Sequence, residues 1–196
     1  MRLITLIFAV AAFVLFAHTA TAGSKHESEY AGQETRQIKS LSEADIAELE
    51  RGGGWGLAKA AELNGVPGPA HLLELKDEIP LTTEQVAAIT TLFEKMRTRA
   101  TEQGATLIEL ERQLDVHFRM RTITDDDLVS LLQRIGAARA ELRYIHLATH
   151  LETPQILTEE QIDRYNALRG YAVSDPCDAV PAGHNAAMWR KHNGCE

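Results

Sequence analysis

Two histidines, His146 and His150, stand four residues apart in a segment whose apolar residues recur every three or four positions. In a helix this spacing places both imidazole rings on one face, about 6 Å apart, which is the arrangement of two-histidine metal sites. Both rings would lie at the edge of the apolar stripe, one position away from it. The pair therefore predicts a transition-metal site or, in the alternative, two surface histidines beside a packing face.

Other side chains can join this pair if the chain folds into a hairpin. One long amphipathic stripe follows position 82 and another follows position 124, and the connection between them is short. A short connection makes neighbouring helices antiparallel, so that positions whose numbers sum to about 243 face each other. His150 then lies near Glu94, a candidate oxygen ligand, and His146 lies near Met96, a candidate soft ligand.

His71 is a third candidate nitrogen ligand. It stands about ten residues before the first long stripe and can fold over the open end of the hairpin. Its alternative role is that of a polar residue in the first turn of a short helix opened by Pro69. The sequence thus predicts a metal site made of His71, His146, His150 and Glu94, for a zinc, nickel, cobalt or copper ion.

Four segments share one pattern that is typical of helix starts. An apolar residue precedes a Ser or Thr, and a Gln or Asp follows that hydroxyl by three positions. The hydroxyl can accept a bond from a first-turn N–H, the Gln or Asp can bond back to the N–H of the cap residue, and apolar residues on either side can close a hydrophobic staple. The four expected cap residues are Ser42, Thr82, Thr124 and Thr158.

The four cap residues place the predicted helices along the chain. Thr82 and Thr124 open the two long helices, and Gly104 interrupts the first stripe and is expected to bend that helix. Thr158 opens a helix over 159–169 that Gly170 ends. Shorter helices are expected from Ser42 towards Arg51, over about 55–63 and from Pro69 to about Ile79. With no segment alternating at period two, the predicted fold is all-α: a long antiparallel helical hairpin with short flanking helices and an irregular C-terminal tail.

The N-terminus reads as a secretory signal over residues 1–22. Arg2 supplies a positive start, an apolar run follows from Leu3 to Phe16, and the small residues Ala20 and Ala22 form a cleavage site. The run is shorter than the ~20 residues of a spanning helix, although an uncleaved anchor is the alternative. The expected domains are the signal peptide 1–22, a flexible lead-in 23–40, a helical domain 41–172 and a tail 173–196.

The net charge bears on the kind of partner that the protein binds, and the two cysteines bear on the chemistry of its tail. The formal net charge is −8 and becomes −9 once Arg2 is removed with the signal, which argues against nucleic acid as a partner. Cys177 and Cys195 both lie in the tail. In an oxidising compartment they predict a disulfide, whereas a metal site with His184, His192 and Cys195 is the alternative.

The segments Leu81-Thr82-Thr83-Glu84-Gln85 and Leu157-Thr158-Glu159-Glu160-Gln161 are two copies of a Leu-Thr-x-x-Gln repeat. Two copies that frame a long helical hairpin, behind a signal sequence, resemble the Spy/CpxP family of periplasmic stress proteins. That superfamily includes zinc-resistance-associated proteins and nickel–cobalt sensors. The resemblance covers about residues 70–170, while the glycine-rich segment before it and the cysteine-containing tail depart from the family pattern.

The resemblance implies a periplasmic protein, often a homodimer, that chaperones unfolded envelope proteins without ATP, senses metals, or does both. Its expected partners are a second copy of the chain and either unfolded envelope proteins or a membrane sensor protein.

 In the metal-sensing branch, a histidine before the hairpin and a His-x-x-x-His or His-x-x-x-Met pair late in it form the site. His71, His146 and His150 match those positions, but Leu75 stands where a second early histidine would complete the early half.

The sequence does not indicate any of the enzyme classes that are identified by short local motifs. The segment from His146 to His150 lacks the glutamate of His-Glu-x-x-His, and the chain has neither Gly-x-Ser-x-Gly nor a phosphate loop ending in Gly-Lys-Ser/Thr. We therefore expect a protein that is not an enzyme. The expected function is that of a periplasmic envelope-stress protein; the alternatives are a dedicated heavy-metal sensor and a structural dimer without a ligand.

Overall fold

The computed structural model describes residues 26, 28–171, 177, 180 and 183–195. The chain divides into two compact units, 1–34 and 35–196, and the helices named below belong to the second. The predicted signal peptide lies outside the described residues. The helices are α1 (Glu43–Glu50), α2 (Lys59–Glu62), α3 (Pro69–Glu74), α4 (Thr83–Met120), α5 (Asp125–Glu152), α6 (Glu159–Arg169) and α7 (Ala186–His192).

The all-α fold and the long helical hairpin are confirmed. α4 and α5 pack along each other as the dominant contact of the fold, and no β-strand occurs in the described part of the chain. Arg121 turns the chain between them in the left-handed conformation, with φ 55°. Gln103 of α4 donates a hydrogen bond to the carbonyl of Ala138 on α5 at 3.2 Å, close to the predicted register.

Two clusters of buried side chains form the core. The larger one fills the seam between α4 and α5 and includes Leu107 and Leu142. The smaller one lies at the open end of the hairpin, where α4 begins and α5 ends, and includes Leu72, Ile89 and Tyr165. None of the helices in the described residues is long and apolar enough to cross a membrane.

Three of the four predicted capping boxes form completely. Ser42, Thr82 and Thr158 each accept a bond from the third residue of their helix, whose side chain bonds back to the cap N–H. Thr124 accepts the bond from Asp127 as predicted, at 3.2 Å. The Asp127 carboxylate accepts a bond from the Thr124 hydroxyl at 2.6 Å, so that the expected bond back to the cap N–H is replaced.

Gly104 lies at a close contact between two helices. It lies inside α4, and a Cβ atom added there would stand 2.5 Å from the carbonyl oxygen of Leu49 at the end of α1. Glycine at this position therefore lets α1 lie directly against α4. The packing also extends into the predicted lead-in, since Ile38 is fully buried in the larger cluster.

Other expectations are corrected in their bounds. The helix expected over about 55–63 is reduced to α2, because turns occupy the glycine-flanked segment around Trp55, whose φ is 43°. The helix expected to reach Ile79 ends at Glu74 and continues as turns. In the tail, α7 replaces part of the irregular structure, and Cys177 and Cys195 form the predicted disulfide.

Candidate functional site

A cavity of about 390 Å³ lies at the open end of the hairpin, and we call it the histidine cavity. α4 contributes Phe93 and Met96 to its wall, and α5 contributes His146 and His150. The glycine-rich segment 52–54 after α1 and the first turn of α3 close it from the other sides. The i, i+4 spacing on α5 thus brings both histidines to one cavity, as the sequence predicts.

His146 is buried, with 4% of its surface exposed. Burial lowers the pKa of its imidazole, the nearby His150 lowers it further, and a hydrogen bond with the backbone of Gly53 partly opposes both effects. Its Nε2 atom is buried and has no hydrogen-bond partner among the described residues. A buried ring that stays neutral keeps a nitrogen lone pair available to a cation.

His150 is equally buried, but one of its nitrogens is engaged. Its Nδ1 lies 2.9 Å from the carbonyl oxygen of Val66, and since a carbonyl only accepts, Nδ1 carries the proton in this bond. Nε2 then holds the lone pair, which is the tautomer that backbone carbonyls impose on metal-ligating histidines. Gly68 packs closely against the same ring, because a Cβ atom added at Gly68 would stand 2.7 Å from Nε2 of His150.

The loop that contacts His150 is itself held to the end of α5. The hydroxyl of Thr153 donates a hydrogen bond to the carbonyl of Pro67, the residue after Val66. Thr153 is fully buried. The position of the His150 ring therefore depends on a contact between a loop and a helix that are more than eighty residues apart in sequence.

His71 lines the same cavity from α3. Its Nδ1 lies 3.1 Å from Oε1 of Glu62, and the other oxygen of Glu62 lies 3.6 Å from Arg169 and 3.4 Å from the hydroxyl of Tyr171. Glu62 therefore orients His71 and connects it to α6. Sequence reasoning missed Glu62, because only the reversal of the chain after α2 brings it to His71.

Glu94, the predicted oxygen ligand, does not line the histidine cavity. Its side chain is 48% exposed and pairs with Arg97 one turn further along α4. Its position on the helix points it away from the seam, whereas Met96 faces the cavity and is buried. The structure thus brings together His71, His146 and His150 with Met96 but leaves Glu94 outside.

The donors of the histidine cavity meet only part of what a metal ion needs. His146 offers an imidazole with an unpartnered nitrogen and His150 one whose Nδ1 is engaged by a carbonyl, and these features fit a transition metal. Within the described ranges, however, no group of three or more His, Cys, Asp or Glu side chains is placed to hold an ion. In the alternative tail site, Cys195 is engaged in the disulfide with Cys177.

Comparisons of the chain with protein-family models, with curated proteins and with solved structures found no match. The fold and the cavity define the class of the protein. It is an all-helical hairpin protein with a buried pair of histidines at the open end of the hairpin.

Proposed function

We propose that this protein is an exported, periplasmic binder of a transition-metal ion, of the Spy/CpxP type, which takes zinc, nickel, cobalt or copper between His146 and His150. The observation that carries the proposal is the buried, unpartnered Nε2 of His146 in a cavity shared with His150 and His71. An unpartnered polar atom in a protein interior costs free energy, and a bound cation would supply its missing partner.

The surrounding groups support the same chemistry. The carbonyl of Val66 orients one imidazole, as the outer contacts of metal sites commonly do. Met96 adds a sulfur atom to the wall, which suits the softer ions of the set. His71, whose side chain is 28% exposed, lines the same cavity and is a candidate third nitrogen.

Calorimetric titration of the mature chain with Zn²⁺, Ni²⁺, Co²⁺ and Cu²⁺ tests the proposal. We expect one ion per chain, and we expect His146→Ala and His150→Ala each to weaken binding by about 100-fold or more, since each removes a direct ligand. His117→Ala is the matched control, because this histidine lies at the other end of α4. Unchanged affinity in both α5 variants would show that the site is wrong.

A second candidate function is the binding of unfolded envelope proteins, and one feature of α5 favours it. Besides its buried face, α5 carries a second apolar stripe on its outer side, where large side chains stay exposed. An exposed apolar stripe of this kind marks a surface that binds other chains. Its exposed members are Val129, Leu132, Tyr144 and Leu151.

Suppression of the aggregation of a denatured client, followed by light scattering, tests this second function. Leu132→Asp places a charge in the stripe and should abolish suppression at stoichiometric amounts. Gln133→Asp places the same charge at the neighbouring exposed position and should leave it intact. A wild-type chain that suppresses nothing would rule the function out, and the mass of the free chain in solution shows whether a second copy covers the stripe.

A further inference from the structure

Helix α6 covers an apolar groove at the open end of the hairpin. The groove lies between α3 and the start of α4, and its side chains Leu72, Ile79 and Ile89 are almost completely buried. α6 places the ring of Tyr165 in this cluster, and Leu168 packs against the same cluster while it remains partly exposed. α6 therefore covers the groove with two apolar side chains of one short helix.

The packing of α6 is less extensive than that of α1 or α3. Both of those helices lie along α4, whereas no helix of the described residues lies along α6 to a comparable extent. Side-chain bonds to loops hold α6 instead. The amide of Gln161 donates to the carbonyl of Pro80 at 2.8 Å, and the amide of Asn166 donates to the carbonyl of Gly65 at 3.0 Å.

The inner side of α6 also carries polar atoms that the fold leaves unsatisfied. The hydroxyl of Tyr165, Oδ1 of Asn166 and Nε of Arg169 are buried and have no hydrogen-bond partner among the described residues. Such groups lose their hydration when the helix docks and regain it when the helix leaves. Three of the four unsatisfied buried side-chain atoms in the described part of the chain belong to this helix, so desolvation opposes its docking more than that of any other helix.

We propose that α6 is a displaceable latch, which leaves the groove while the hairpin stays folded and lets an amphipathic helix of another protein bind in its place. α6 itself shows which helix fits. It presents an aromatic ring at Tyr165, a leucine three positions later and a glutamine four positions earlier that bonds to Gln85. Helices that bind in apolar grooves use anchors at this spacing. The inference goes beyond metal binding, since none of these residues lines the histidine cavity.

Hydrogen exchange of the mature chain, followed by mass spectrometry at several urea concentrations, tests the release of α6. We expect the amides of residues 162–169 to exchange about tenfold or more faster than those in the middle of α4 and α5. Their exchange should depend only weakly on urea, because local release exposes little surface, whereas exchange in α5 should depend on it steeply. Tyr165→Phe should slow the exchange of α6, because it removes the unsatisfied hydroxyl and keeps the ring.

A fluorescein-labelled peptide with the sequence of residues 157–171 is the probe for the open groove, and fluorescence anisotropy measures its binding to the mature chain. Thr158→Ala in the chain removes the cap of α6 but no side chain of the groove, so it should strengthen peptide binding about fivefold. Ser130→Ala, at an exposed position of α5, is the matched control. A peptide with Tyr165→Asp should not bind, whereas one with Asp163→Ala, at an exposed position of α6, should bind like the unchanged peptide.

Two results would each overturn the inference. One is exchange of α6 at the same rate and with the same urea dependence as α5, since α6 would then open only when the whole fold does. The other is peptide binding that is absent or equal in the wild type and in Thr158→Ala. Local exchange of α6, together with peptide binding that Thr158→Ala strengthens and the Asp-substituted peptide loses, supports it.

Discussion

The side-chain amides of Gln85 and Gln161 donate hydrogen bonds to each other, at 2.8 and 2.9 Å, although 76 residues separate them. Each amide nitrogen also donates to the backbone carbonyl just ahead of the other motif, at Ile156 and Pro80. Each amide oxygen accepts in addition from the N–H of its own cap residue. The two Leu-Thr-x-x-Gln motifs thus form a reciprocal clasp that joins the start of α6 to the start of α4.

Loss of either glutamine should destabilise the protein. Gln85→Ala and Gln161→Ala each remove one bond of a capping box and leave partly buried partners unsatisfied, for an expected loss of about 2 kcal/mol in the free energy of unfolding. The double variant should cost less than the sum, because each single change already breaks the shared bonds. Urea denaturation measures these values, and Gln133→Ala, at an exposed position of α5, is the control. Strict additivity would contradict the clasp.

Gly68 should be required for the geometry of His150. A Cβ at Gly68 would stand 2.6 Å from Cε1 of that ring, so Gly68→Ala must displace the ring from its place in the cavity. We expect at least a tenfold loss of metal affinity in a calorimetric titration. Gly54→Ala is the control at the same cavity, because an added Cβ there meets nothing within 4 Å. Equal affinities of the two variants would refute this role of Gly68.

The two glycines inside the long helices should respond to alanine with opposite signs. Gly104→Ala places a Cβ 2.5 Å from the Leu49 carbonyl, and we expect a loss of about 1–3 kcal/mol from the displacement of α1. Gly136 is exposed on α5 with open space around it, so Gly136→Ala should stabilise the protein by up to about 1 kcal/mol. Thermal unfolding of both variants provides the comparison, and stabilisation by Gly104→Ala would contradict the close approach.

Alkaline pH should destabilise the fold through Tyr165. Burial raises the pKa of its hydroxyl to about 12, with a further contribution from the charge of Glu62, against an unfolded value of about 10. Above pH 10 the unfolded chain releases this proton while the folded chain retains it, so stability falls as pH rises from about 10 to about 12. Unfolding free energies at pH 9 and 11 should differ less in Tyr165→Phe than in the wild type. An identical decrease in both proteins would assign the pH dependence to other groups.

Local chemistry in the sequence was sufficient for the two long helices and for the starts of α1 and α6. The capping pattern at Ser42, Thr82 and Thr158 acts within a single turn, so it predicts a helix start without knowledge of the rest of the chain. The apolar period and the short connection likewise predict the hairpin, and the spacing of His146 and His150 predicts that they share a face.

The features that only the tertiary structure decided depend on contacts between segments that are far apart in the sequence. The placement of Glu62 beside His71, the exclusion of Glu94 and the contact of Gly104 with Leu49 follow from how loops and short helices pack on the hairpin. The pairing of Gln85 with Gln161 is of the same kind, because each capping box is complete by itself and nothing local requires the two to meet. Periodicity determines which face of a helix is buried, whereas side-chain packing across the fold determines which residues meet there.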